Sequence, residues 1–131
     1  STNVAGVTCI LVHLADYGML AGPCESANSI ENLIAQVIST DPLTTQLICM
    51  HSKLTGKIPK EIGNLTLLAK IYLAGNYIEG TIPIELGQLE NLKYVQLQGN
   101  RLTGKIPSEL GTLKELRHLN IGSNKLTGTI P

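Results

Sequence analysis

The chain has 131 residues, no formal net charge at neutral pH and 43% hydrophobic residues. That suffices for one domain with an elongated core, while the zero net charge gives no global case for nucleic acid. No apolar run approaches the roughly 20 residues of a membrane helix, so no membrane insertion is expected within these residues. The charge is unevenly spread: residues 1–50 hold the acids Asp16, Glu25, Glu31 and Asp41 and no Lys or Arg, whereas residues 51–131 hold ten basic and six acidic side chains.

In chain order, the start Ser1-Thr2-Asn3 lacks Met and lacks a charged-then-apolar leader. It fits removal of a secretory signal and equally fits an arbitrary boundary. Val12-x-Leu14 and Leu20-x-Gly22-Pro23 read as one degenerate unit with a first strand near 10–14. Residues 28–38 are the one clear helix, because Ile30, Leu33, Ile34, Val37 and Ile38 fall at helical spacing on a single stripe. Asn28 caps it in this reading, Glu31 completes a capping box, and Asp41-Pro42 ends it.

From Leu54 onward one phrase recurs every 24 residues: L-T-G-K-I-P at 54–59, I-E-G-T-I-P at 78–83, L-T-G-K-I-P at 102–107 and L-T-G-T-I-P at 126–131. Such a fixed period predicts a solenoid, in which each unit packs on its neighbours and none folds alone. Ile71-x-Leu73, Val95-x-Leu97 and Leu119-x-Ile121 alternate with period two and predict short strands. Strands recurring once per coil in one direction pair in parallel. Asn76, Asn100 and Asn124 follow them at apolar surroundings and are expected to form a buried, hydrogen-bonded ladder. Gly80, Gly104 and Gly128 are expected at positive φ, and the prolines beyond them argue against a regular continuous sheet on that return side. Gly22 and Gly56 lie 34 residues apart, so the helix looks like a ten-residue expansion of a coil. Leu47-x-Cys49 then opens the regular series, with Ser52 in place of the ladder asparagine.

The phrase L-x-x-L-x-x-I-x-L-x-x-N-x-I-x-G-x-I-P at 65–83 resembles the plant-type leucine-rich repeat of receptor-like kinase ectodomains and polygalacturonase-inhibiting proteins. The resemblance implies an α/β-type solenoid, a right-handed coil with a short parallel sheet. It implies a divergent helical or irregular amino-terminal cap over 1–46, and about 3.5 coils over 47–131 without a carboxyl-terminal cap. It also implies a secreted or cell-surface location, a concave binding surface and no catalysis. Ala5-Gly6-Val7-Thr8-Cys9 is similar to the G-V-x-C that closes the cap in that family. Thr2 and Val4 stand where the family has a cysteine and a tryptophan, so the usual cap disulfide lacks its first partner.

Candidate chemistry is sparse. Cys9 and Cys24 can pair in an oxidising compartment. Cys49 holds an inward strand position and is expected as a buried thiol, which leaves no nucleophile for the nearby His51. With no C-x-x-C and no histidines at ligand spacing, neither metal nor cofactor is expected. Asn64-Leu65-Thr66 is the one glycosylation acceptor triplet, modified if the protein is secreted.

Strand residues facing away from the core form columns, and the expected ligand face is Lys70, Tyr72, Tyr94, Gln96, Gln98, His118 and Asn120. Lys53, Arg101 and Lys125 share one repeat position and Lys57 and Lys105 another, a basic ridge suited to an acidic polysaccharide, an acidic peptide or the acidic end of another copy. Three readings follow: a recognition module for protein, peptide or cell-wall glycan; a block that associates head to tail, its −4 and +4 halves meeting, into filaments; and an inhibitor of polygalacturonase type.

Overall fold

A computed structural model describes residues 2–4, 7–13, 19–21, 24 and 27–128 of the chain. Its strands are β1 (Thr2–Val4), β2 (Val7–His13), β3 (Met19–Ala21), β4 (Thr44–Met50), β5 (Lys70–Tyr72), β6 (Glu79–Gly80), β7 (Tyr94–Gln96), β8 (Arg101–Lys105), β9 (His118–Asn120) and β10 (Lys125–Thr127). The α-helix α1 (Ile30–Thr40) precedes β4, and three-ten helices cover Lys60–Asn64, Ile84–Gln88 and Ser108–Thr112.

Two sheets run along the stack. In the larger, β4, β5, β7 and β9 pair in parallel with no slip, so Leu47, Ile71, Val95 and Leu119 form one inward column. The smaller sheet lies on the return side in the order β10-β8-β6, also parallel. A short parallel sheet therefore forms where no regular continuous one was expected. The ladder forms on the residues before each proline, and Pro59, Pro83 and Pro107 cap the three-ten helices instead, where a missing N–H costs nothing. Gly80, Gly104 and Gly128 sit at φ 78°, 78° and 82°, a conformation L side chains resist. Gly63 and Gly87 answer a different need: a Cβ on Gly87 would stand 2.7 Å from that of Glu109, so successive three-ten helices pack only with glycine there.

The inward aliphatic residues build one core. Ile62, Leu65, Leu68, Ile71, Leu73 and Ile78 are fully buried in the first regular coil, Leu86, Leu89, Leu92, Val95, Leu97 and Leu102 in the next, and the apolar stripe of α1 closes the same core through Ile30, Leu33, Ile34 and Val37.

Hydrogen bonds from buried carboxamides bind the coils together. Asn76 Oδ1 accepts from Ser52 N at 2.9 Å and Leu54 N at 3.0 Å, while its Nδ2 donates to Cys49 O at 2.8 Å and Leu73 O at 2.9 Å. Asn100 accepts from Ile78 N and donates to Leu73 O and Leu97 O. Asn124 accepts from Leu102 N and donates to Leu97 O and Ile121 O. Each side chain thus fills backbone valences in its own coil and the one before.

The amino-terminal part departs from expectation. β2 is a seven-residue strand that runs antiparallel to β4, not the first parallel coil, with Ile10 opposite Ile48. β1 and β3 both pair with β2, antiparallel. Leu14, Gly22 and Pro23, part of the degenerate unit read from the sequence, lie outside the described residues, as do Thr129, Ile130 and Pro131. Helix α1 starts two residues later than the spacing suggests. Asn28 has φ 66° and cannot cap; Ser29 is extended and its Oγ accepts from Asn32 N at 3.1 Å. Glu31 therefore closes no capping box, and its Oε2 accepts from Lys57 N at 3.0 Å in the following coil.

The cysteine expectations are also corrected. Cys24 is bonded to Cys49, with Cα atoms 5.8 Å apart and both residues fully buried. Cys24 is thus not paired with Cys9, and Cys49 is not a thiol. The fold, rather than the shorter sequence separation of Cys9 and Cys24, sets the partner, because it brings Cys24 to disulfide distance from Cys49 on β4. The backbone of Cys9 lies opposite Cys49 across β2 and β4.

Two stability outcomes follow from these bonds. Asn76→Ala, which strands several buried backbone groups, should lower unfolding free energy by about 3 kcal/mol, and Asn124→Ala, half open to water, by about 1 kcal/mol, both read by urea titration. Cys24→Ser should cost about 3.5 kcal/mol, from the 25-residue separation that the bond closes; reduction of the unmodified protein should shift the same transition equally.

Candidate functional site

The outward face of the large sheet inherits the register of the core. Lys70, Tyr94 and His118 occupy one column across β5, β7 and β9, and Tyr72, Gln96 and Asn120 the next. Because β5 and β9 flank β7 on opposite sides, Tyr94 is held between two neighbours. His118 stacks on its ring with centroids 5.5 Å apart and planes 17° from parallel. Lys70 Nζ lies 5.6 Å from the Tyr94 centroid and 6.0 Å from that of Tyr72, within cation–π reach of both. Asn120 Oδ1 accepts from Gly122 N at 3.1 Å.

Six residues, Tyr72, Tyr94, Gln96, His118, Leu119 and Asn120, line an open depression of about 330 Å³. Five were expected from the sequence. Lys70 borders the depression through the two tyrosine rings, and Gln98 stands apart, its Oε1 buried without a hydrogen-bond partner. The strand residues of this face carry aromatic, amide and cationic groups and no carboxylate. A larger hollow of about 690 Å³ on the turns before the strands contains none of the expected residues. Its lining mixes Glu90 and Glu115 with Lys93 and Lys114, so it presents no single sign of charge.

The return sheet presents a second surface. Lys53, Lys57, Arg101, Lys105 and Lys125 are exposed there; Lys57 and Arg101 both register with Glu79, and Lys105 and Lys125 lie on the paired strands β8 and β10. Sequence reasoning missed Tyr77, which holds the same repeat position as Lys53, Arg101 and Lys125. It is 44% exposed, and the Arg101 guanidinium sits 4.8 Å from its ring centroid. The repeat alignment itself was the signal that would have found it.

Asn64 is exposed at the end of the first three-ten helix. With Cys49 in a disulfide, the pairing of a nucleophilic thiol with His51 has no chemical basis. Among the described residues no group of three His, Cys, Asp or Glu is placed to hold a metal ion, and no helix is long and apolar enough to cross a membrane.

Coils of this length, sheet pairing and asparagine bonding define a leucine-rich repeat solenoid. Residues 66–126 match the family profile described as leucine rich repeat, and these coils are leucine-rich repeats of the type carried by plant receptor ectodomains. The structure is similar to the plant peptide hormone receptor RGFR1 in complex with RGF2, at 36% identity and TM-score 0.69, over 72% of this chain and 15% of that one. It is similar to the BIR3–SERK2 complex from Arabidopsis thaliana, at 37% identity and TM-score 0.63, over 65% of this chain and 46% of that one. A plant ice-binding protein is similar at 29% identity and TM-score 0.68, over 92% of this chain and 36% of that one. The chain spans less than half the length of each of these structures. Comparison with curated protein sequences finds no match.

Proposed function

We propose that this chain is a non-catalytic recognition module, secreted or displayed at a cell surface, that binds a protein or peptide segment on the outward face of its large sheet. The observation that carries the reading is the in-register column of Lys70, Tyr94 and His118 beside that of Tyr72, Gln96 and Asn120. Tyr94 is already immobilised between its neighbours, so little side-chain entropy is lost when a ligand docks on it. Similar structures include a plant peptide hormone receptor and a receptor kinase in complex with a peptide hormone, which supports a peptide-sized partner. Four parallel strands at about 4.8 Å per step span only about 15 Å, so the epitope is short.

A peptide selected from a displayed library against the whole chain tests this face. Tyr72→Ala/Tyr94→Ala should weaken its binding at least about tenfold, as truncation of paired aromatic anchors does. Unchanged affinity would exclude the face as the binding surface.

A second reading rests on the return sheet. Five exposed cations there surround one aligned carboxylate, Glu79, with the Glu31 carboxylate at the Lys57 backbone. Such a surface suits a linear polyanion, and we infer an acidic polysaccharide as its partner. Polygalacturonate should bind at low salt and dissociate as salt rises, and Lys57→Glu/Lys105→Glu should weaken it at least about tenfold. Equal binding of neutral dextran would refute the charge argument, and preference for polyglutamate would transfer the surface to an acidic peptide.

A further inference from the structure

One apolar groove belongs to neither face. It runs between α1 and the three-ten helix Lys60–Asn64, encloses about 440 Å³, and is lined by Ile34, Ala35, Ile38 and Pro59, with Glu31, Glu61 and Asn64. Its origin is a mismatch of elements. Further along the stack, three-ten helices of five residues pack on one another so closely that Gly63 and Gly87 have no room for a side chain. Here an α-helix of about 16 Å faces a three-ten helix of about 10 Å. The shorter element cannot cover the longer one, and Ile38 and Ala35 on the last turns of α1 stay partly or wholly open.

The side chain at the edge of this groove is Asn64, the one acceptor asparagine of the sequence, in Asn64-Leu65-Thr66. Asn64 and Thr66 are exposed while Leu65 between them is fully buried, which anchors the attachment point beside the groove. A pyranose has one face of C–H groups and a rim of hydroxyls, and the first sugar of an N-linked glycan adds an acetamido methyl. Those surfaces match an apolar floor of Ala35, Ile38 and Pro59 and an acceptor at Glu61. We propose that the first sugars of an N-linked glycan on Asn64 lie in this groove and complete the packing between α1 and the first regular coil. The proposal rests on the secreted reading above. The glycan would be a structural part of the fold, in contrast to a solubilising appendage.

The test compares the full chain made in a eukaryotic secretory host with the same protein trimmed enzymatically to one N-acetylglucosamine and with Thr66→Ala, which removes the acceptor triplet but leaves Asn64 and the groove in place. Mass spectrometry should show Asn64 occupied. The glycosylated and trimmed forms should melt about 2–4 °C above Thr66→Ala, with amide exchange over 34–40 and 60–64 slowed about two- to tenfold. Ala35→Glu, at an exposed helical position in the groove wall, should remove most of that difference between glycosylated and unglycosylated protein, because a carboxylate disfavours the C–H face. An occupied Asn64 with unchanged melting and exchange would overturn the proposal, as would an unoccupied Asn64 in secreted protein. Peptide binding at Tyr72 and Tyr94 is measured separately and tests the recognition reading by itself.

Discussion

A buried carboxamide that bonds to two coils at once is the constraint on which this architecture depends. An asparagine in an apolar interior is tolerable only when its acceptor and both donors are satisfied. Asn76 meets that demand through Ser52 N, Leu54 N, Cys49 O and Leu73 O, three of which belong to the preceding coil. A coil one residue longer or shorter would present the wrong backbone groups. The same bonds therefore hold the register in which Lys70, Tyr94 and His118 stand side by side, although none of those three touches the ladder.

The two outward surfaces divide the work of recognition by range. Cations on the return sheet act over about the Debye length of 8–10 Å and serve encounter and orientation more than tight fit. The column around Tyr94 acts only at contact, where an aromatic ring already fixed by His118 and Lys70 gives area without disorder. Both surfaces arise from the same geometry, since any residue at a fixed place in the 24-residue unit recurs one strand spacing further along. Substitution at one place in one coil changes a column by a single element and leaves the core untouched.

The regular coils were legible because their signals are local and repeated. Period-two apolar residues gave the strands, recurring asparagines the ladder, and repeat alignment the face columns, all within a residue or so of where they lie. Helix α1 was legible from its stripe, but its cap was not: Asn28 and Ser29 are both good capping types, and only the turn toward Thr55, which puts Asn28 at φ 66°, decides between them. The antiparallel course of β2 left no local trace, for alternation in Val7–His13 is the same in either direction. Cys24–Cys49 was hidden for a related reason, since its partners are 25 residues apart in the chain and meet only in the fold. The groove beside Asn64 is a difference in length between two neighbouring elements, which no single residue states.

The reversal of strand direction between β2 and β4 gives the molecule an origin. Every later coil receives and offers the same set of bonds, so a further 24-residue unit placed after Asn76 would meet compatible neighbours on both sides. No such unit fits between β2 and β4, where the pairing is antiparallel and Cys49 of β4 is bonded to Cys24. The extent of the stack is thus adjustable by whole units in one direction only. Duplication of a coil is a viable route for such a gene to vary, and it would move the aromatic column along the sheet in steps of about 4.8 Å without redesign of the coil that carries it.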